Sequence, residues 1–169
     1  MPKIIISYRR ADSDAITGRI RDRLAKHYGD NSIFMDMDSV PLGMDFRKHI
    51  KDALLQNEIL IAVIGPKWVG ATGAADARIK NESDPVRIEV ETALQRGIPT
   101  IPALVNGASM PRPDELPDSL KDFCFYNAAE VETGRDFHSH MDRLIRSIDL
   151  ILKGKAEPGS SWKRFLPRR

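Results

Sequence analysis

Apolar residues fall along this chain in two rhythms that alternate from one end to the other. Short, nearly unbroken runs, Lys3–Ser7, Glu58–Ile64 and Ile98–Val105, have the length and composition of strands buried on both faces. Between them, apolar residues recur three and four positions apart, the spacing of one helix face. Ile16, Ile20, Leu24 and Tyr28 mark a helix that stops at Gly29, and Phe46, Ile50, Ala53 and Leu54 mark the next. Val86, Val90, Ala93 and Leu94 form a third stripe, and Met141, Leu144, Ile145 and Ile148 a fourth, inside a helix predicted over Phe137–Leu152. Ser32–Met35 and Cys124–Asn127 read as shorter second and fifth strands.

The third stripe is bounded most sharply. Asp84 is the expected N-cap, and Pro85 takes the first helical position, where its missing N–H costs nothing. Gly97 ends the helix as a left-handed cap and Pro99 follows. Two carboxylates, Glu89 and Glu91, fall on opposite flanks of this stripe at about 100° per residue. Helix geometry separates them but does not choose between them.

Strand–helix alternation predicts an α/β domain: a flavodoxin-like three-layer sandwich, its five-stranded parallel sheet covered by helices on both faces. Ligands of such sheets bind at the carboxyl ends of the strands. The candidate positions are therefore Ser7–Arg10, Asp36–Gly43, Gly65–Trp68 and the start of the helix that carries Glu89. Among the connections, SYRRADSD reads as a polar segment rich in helix-capping residues. Asp36–Asp45 reads as a loop turned by Pro41 and Gly43, and Gly70–Ser83 as a flexible surface insertion.

A chain of 169 residues forms about one domain and can bury a core without staples. The single Cys124 excludes an internal disulfide and a multi-cysteine zinc site. His138 and His140, two apart on a helix, diverge, and His27 and His49 are isolated, so no metal site is expected. Arg9 and Arg10 follow the first apolar run instead of preceding it, which does not fit a secretory leader. The net charge of +2 hides an asymmetry, because residues 153–169 carry six basic residues and one acid. The remaining body is mildly acidic and argues against nucleic-acid binding. We divide the chain into a domain over 1–152 and a basic linker or disordered tail over 153–169. Its Trp162–Arg169 end gives only a weak signal for membrane contact.

Fold alone does not choose a function. A phospho-acceptor receiver needs acidic residues after its first strand to hold magnesium, and Ser7-Tyr8-Arg9-Arg10 has the wrong sign. A flavodoxin needs a hydroxyl-rich phosphate loop there. The ordered set IIISYRRADSD, FMDMDSVPLGMDF, LIAVIGPKW and DPVRIEVETALQRGIPTIPALV instead resembles the TIR domains of Toll-type receptors, plant immune receptors and bacterial defence proteins. The resemblance runs from Pro2 to about Leu152. ISYRR resembles the family's first box, and Asp38–Phe46 its BB loop. Asp84, Val86 and Glu89 match the D-x-V-x-x-E pattern of the branch that cleaves NAD+, which includes the axon-degeneration hydrolase and anti-phage proteins. Many active members carry a tryptophan four residues before that glutamate; this chain has Pro85.

The resemblance implies a cytoplasmic NAD+ glycohydrolase with Glu89 as its catalytic residue and NAD+ as substrate, without a cofactor. Breaking the nicotinamide–ribose bond leaves an oxocarbenium-like ribose, which a carboxylate can stabilise or orient. Nicotinamide departs neutral and needs no general acid. Ser7, Tyr8, Arg9, Arg10, Asp36, Asp38 and Trp68 are the substrate-binding candidates: the arginines for the diphosphate, Tyr8 and Trp68 for stacking or packing, and the aspartates for ribose or loop order. The resemblance also implies homotypic assembly with other TIR domains through the BB-loop residues Ser39, Val40, Pro41, Leu42 and Gly43, and it allows a fused or separate sensor or effector. The competing expectation is a TIR module that recruits partners without turnover.

Overall fold

The structure, a computed structural model, describes residues 1–35, 40–70 and 77–156. The strands β1 (Ile4–Ser7), β2 (Ile33–Met35), β3 (Ile59–Ile64), β4 (Thr100–Val105) and β5 (Ala129–Val131) form one parallel sheet in the order β2-β1-β3-β4-β5. The helices are α1 (Arg10–Tyr28), α2 (Phe46–Leu55), α3 (Pro85–Gln95) and α4 (Phe137–Ala156). This is the flavodoxin-like order expected from the alternation. Strand order reverses between β1 and β3, which places a crevice-forming switch point at their carboxyl ends.

Alternation along each strand sorts its side chains between two helical layers. Ile4, Ile6, Ile61 and Val63 pack with α1 and α4, whereas Ile5, Leu60, Ala62 and Ile64 pack with α2 and α3. Central β3 is buried at every position, as its unbroken apolar run requires. The stripe Met141, Leu144, Ile145 and Ile148 faces inward on α4 as predicted.

Four local expectations are corrected. Residues 124–127 are not a strand. Cys124 and Phe125 end a 3₁₀ segment, Asp118–Phe125, and β5 begins at Ala129. The reason is visible in the spacing: Leu120 and Phe123, three apart, are both fully buried, and a strand would send them to opposite faces. The segment Gly70–Ser83 is not wholly a surface insertion. Ala77 and Ile79 are buried, and the Ile79 amide donates to the Val69 carbonyl at 3.1 Å. SYRRADSD is not a free connection, because α1 begins at Arg10, directly after β1, with a kink at Ser13. Finally, α4 continues past Leu152 to Ala156, where the Lys155 ammonium donates to the Glu58 carbonyl at 2.5 Å and ties the helix end to the sheet.

Candidate active site

α3 is bounded as its sequence dictates. Asp84 caps it by accepting from the Arg87 amide (3.3 Å), and Gly97, at φ 67°, turns the chain so that the Ile98 amide reaches the Ala93 carbonyl (2.9 Å). Its buried face is broader than the apolar stripe. Ile88 and Thr92 are buried beside Val86, Val90 and Ala93. At about 100° per residue this arc has Glu89 near its centre, not on its flank. Glu89 is only 6% exposed.

Glu91 lies outside that arc and is occupied differently. The Arg87 guanidinium donates to its Oε1 at 2.6 Å, and the Ser119 hydroxyl donates to the same oxygen. Arg87 also donates to the Lys80 carbonyl at 2.7 Å. Glu91 therefore joins α3 to the 3₁₀ segment behind it. The two glutamates that sequence geometry left equivalent are thus separated by their surroundings.

The N-terminus of α3 is held by an unusual set of buried charges. Arg9, two residues past β1 and at the N-cap of α1, donates both Nη atoms to Asp84, at 2.8 and 2.6 Å, and its Nε to the Trp68 carbonyl at 2.5 Å. Both side chains are withdrawn from solvent. The Arg78 Nε stands 3.7 Å from the same carboxylate, with its side chain 60% exposed. One arginine thus joins β1, the turn after β3 and α3. A second fastening comes from Asp12 on α1, which accepts from the Lys67 amide at 3.0 Å. Its carboxylate lies against the backbone of Gly65, where a Cβ would stand 2.2 Å from Oδ2. Asp12 was not singled out in the sequence, and Gly65 only as the start of the candidate segment Gly65–Trp68. The signal that marks them is a polar residue one turn into α1 and a glycine at the end of the central strand, two features that gain meaning only once the sheet order makes them neighbours.

The remaining candidates divide. Ser7 is buried at the end of β1 beside Ala62 of β3, on the strand face shared with Ile5 and hence on the α2–α3 side; its hydroxyl has no hydrogen-bond partner among the described residues. Tyr8 packs against the opposite, α1–α4 core, so Ser7 and Tyr8 are not brought together. Trp68 is 1% exposed, with its ring 6.1 Å from that of Phe123. Of the two uses left open for it, stacking or packing, the structure shows packing in the α2–α3 core. Arg9 is corrected: its fork is filled by Asp84, which leaves Arg10, exposed at the start of α1, as the arginine of this box that faces solvent.

Asp36, Asp38 and Ser39 lie outside the described residues. Val40 is half-buried, Pro41 and Gly43 are exposed, and Leu42 is fully exposed at 103%. Met44 and Phe46 add exposed apolar surface beside it. Behind this loop Asp45 caps α2, and its hydrogen bonds from Arg47 hold its carboxyl down at about 2. Burial pushes the Cys124 thiol up, which suits a packing residue better than a nucleophile. Among the described residues no cluster of His, Cys, Asp and Glu is arranged to hold a metal ion, and no helix is long and apolar enough to cross a membrane.

Residues 4–127, well over half of the chain, match the family model described as a TIR domain. The chain belongs to the TIR-domain family. The TIR domains of the activated Roq1 resistosome, which directly recognises the pathogen effector XopQ, superpose with a TM-score of 0.61 at 10% identity, over 88% of this chain and 99% of that one. A metazoan TIR-STING receptor from C. gigas, solved in complex with 2′,3′-cGAMP, gives 0.54 at 17% identity, over 82% of this chain and 38% of that one. This TIR domain therefore spans well under half of the receptor chain. At these identities the likeness is one of fold. No curated protein sequence matches the chain.

Proposed function

We propose that this TIR domain cleaves NAD+ at the nicotinamide–ribose bond, giving nicotinamide and ADP-ribose or a cyclic ADP-ribose isomer, with Glu89 as the catalytic carboxylate. The observation that carries the reading is the burial of Glu89 in the middle of the inward arc of α3, a helix whose cap is bonded to Arg9 just beyond β1. α3 therefore starts at the carboxyl end of the sheet. Glu89 follows the cap by five residues, about 7.5 Å along the axis. Helical side chains lean toward the N-terminus, so a glutamate at this depth reaches back toward the crevice. A carboxylate there opposes the positive charge that develops on the ribose, and fixed charge in a dry site contributes roughly 3 kcal/mol or more to the transition state. In this reading Ser7, buried on the α2–α3 side, binds a ribose hydroxyl and Arg10, exposed at the start of α1, meets the diphosphate.

The test is nicotinamide release. Wild type and Glu89→Ala are incubated with NAD+ and the products are separated by chromatography, which also distinguishes linear from cyclic ADP-ribose. Equal rates would remove Glu89 from the chemistry.

A second reading is favoured by the exposed apolar residues Leu42, Met44 and Phe46: a module that works by contact with other TIR domains. The two readings meet if cleavage requires assembly, in a cytoplasmic defence or signalling role with a sensor or effector upstream. Specific activity that falls on dilution supports assembly-dependent turnover. Self-association with no nicotinamide release supports the scaffold alone.

A further inference from the structure

Resting on the glycohydrolase reading, we propose that the Arg9–Asp84 ion pair is a positioning device for Glu89, and that Arg9 contributes to turnover through α3 rather than by holding the diphosphate. The pair is more costly than helix capping requires. Asparagine or serine caps a helix about as well as aspartate and brings no buried charge. An apolar pair of similar volume often matches or exceeds a buried ion pair in stability, because desolvation offsets the attraction. What an ion pair of this geometry supplies is a fixed arrangement. Two parallel hydrogen bonds from one guanidinium to one carboxylate set both distance and rotation. The third bond, from Nε to the Trp68 carbonyl, refers that arrangement to the turn after β3. Asp12 fastens the same turn to α1 through the Lys67 amide. The N-terminus of α3 is therefore indexed to both strands that flank the switch point.

The consequence for Glu89 follows from helix geometry. It lies five residues beyond the cap, so a slip of α3 by one residue would rotate it by about 100° and shift it by about 1.5 Å. Apolar neighbours such as Val86, Val90 and Ala93 resist such a slip only through shape. A bidentate bond resists it through direction. Misplacement of a reacting group by 1 Å can lower turnover by about a hundredfold.

The experiment uses the full chain. Arg9→Met/Asp84→Asn removes both charges together, leaves none orphaned in the core, and keeps an amide oxygen to cap α3. Its melting temperature is expected within about 4 °C of wild type. With NAD+ as substrate, kcat is expected to fall at least about tenfold while KM stays within about twofold. A raised KM at unchanged kcat would overturn the proposal in favour of direct diphosphate binding, and unchanged kcat and KM would overturn it outright. Should the double variant not fold, Arg9→Lys carries the same test, because lysine keeps the charge and loses the fork.

Glu89→Ala, run in parallel, separates this proposal from the reading beneath it. Loss of release in that variant with full turnover in the double variant keeps the glycohydrolase and sinks the positioning role. If wild type itself releases no nicotinamide, the glycohydrolase reading falls and amide exchange decides the positioning claim. Faster exchange confined to the Ile88–Ala93 amides in the double variant upholds it, and unchanged exchange rejects it.

Discussion

The two helical layers of this domain bury different kinds of residue. On the α1–α4 side the sheet meets aliphatic side chains from both helices, Ile16, Ile20 and Leu24 from one and Met141, Leu144 and Ile148 from the other. Aromatic rings occur on both sides, Phe137 in this layer and Trp68 and Phe123 in the α2–α3 layer, so the difference lies in charge. Every charged residue buried among the described positions, Arg9, Asp84 and Glu89, belongs to α3 or is bonded to its cap. A layer built from apolar contacts tolerates small shifts, because dispersion and burial depend weakly on direction. A layer that holds paired charges does not, because each group must find its partner or lose several kcal/mol. The first layer supplies stability, and the second uses part of it to hold polar groups where water is excluded.

Four measurements would break or sharpen this contrast. The largest effect is expected from Glu89→Gln, which should lower nicotinamide release by about a hundredfold to a thousandfold while Glu91→Ala leaves it near wild type. Comparable losses from both would mean that α3 is merely being destabilised. Next, Leu144→Ala on the α4 side should cost about 2–5 kcal/mol in urea unfolding and leave turnover per folded molecule unchanged. A drop in turnover there would show that the layers are not independent.

A smaller effect should appear at alkaline pH. Burial, together with the hydrogen bond to Asp149, raises the Tyr28 phenol above its ordinary 10.0. The folded state therefore favours the protonated form, and its contribution is complete below pH 10 and lost as pH rises above it. Tyr28→Phe should flatten that alkaline decline in a pH series of melting temperatures, and an unchanged slope would assign the decline to other groups. Smallest of all, Leu42→Glu should move stability by no more than about 0.5 kcal/mol, since the side chain touches little. It should nonetheless weaken self-association in sedimentation, and an unaltered sedimentation profile would remove the loop from the interface.

How far the sequence carried this picture differs between the same two layers. Strand order and the α4 stripe were legible because they rest on periodicity, which Ile4–Ser7 and Met141–Ile148 display openly. The cap at Asp84 and the stop at Gly97 were legible because local chemistry dictates them. The fate of Arg9 was not. An arginine after a strand is solvated or bonded according to what lies opposite, and Asp84 is 75 residues away in sequence. Trp68 was ambiguous for the same reason until Phe123 appeared beside it. The centring of Glu89 was hidden by Ile88 and Thr92, whose burial depends on elements packed against a second side of α3. The short β5 was misplaced because Cys124–Asn127 has strand composition, while the three-residue spacing of Leu120 and Phe123 belongs to a 3₁₀ turn.

The contact between Asp12 and Gly65 also bears on how this domain can be altered. Where it stands, the Asp12 carboxylate occupies the volume that a methyl group at position 65 would need. A library randomised at position 65 and selected for folding should return glycine and the smallest side chains, the latter with the Asp12 carboxylate swung aside, whereas the neighbouring exposed Pro66 and Lys67 should accept many replacements. Any redesign of the crevice from the β3 side would then have to begin by moving or shortening Asp12.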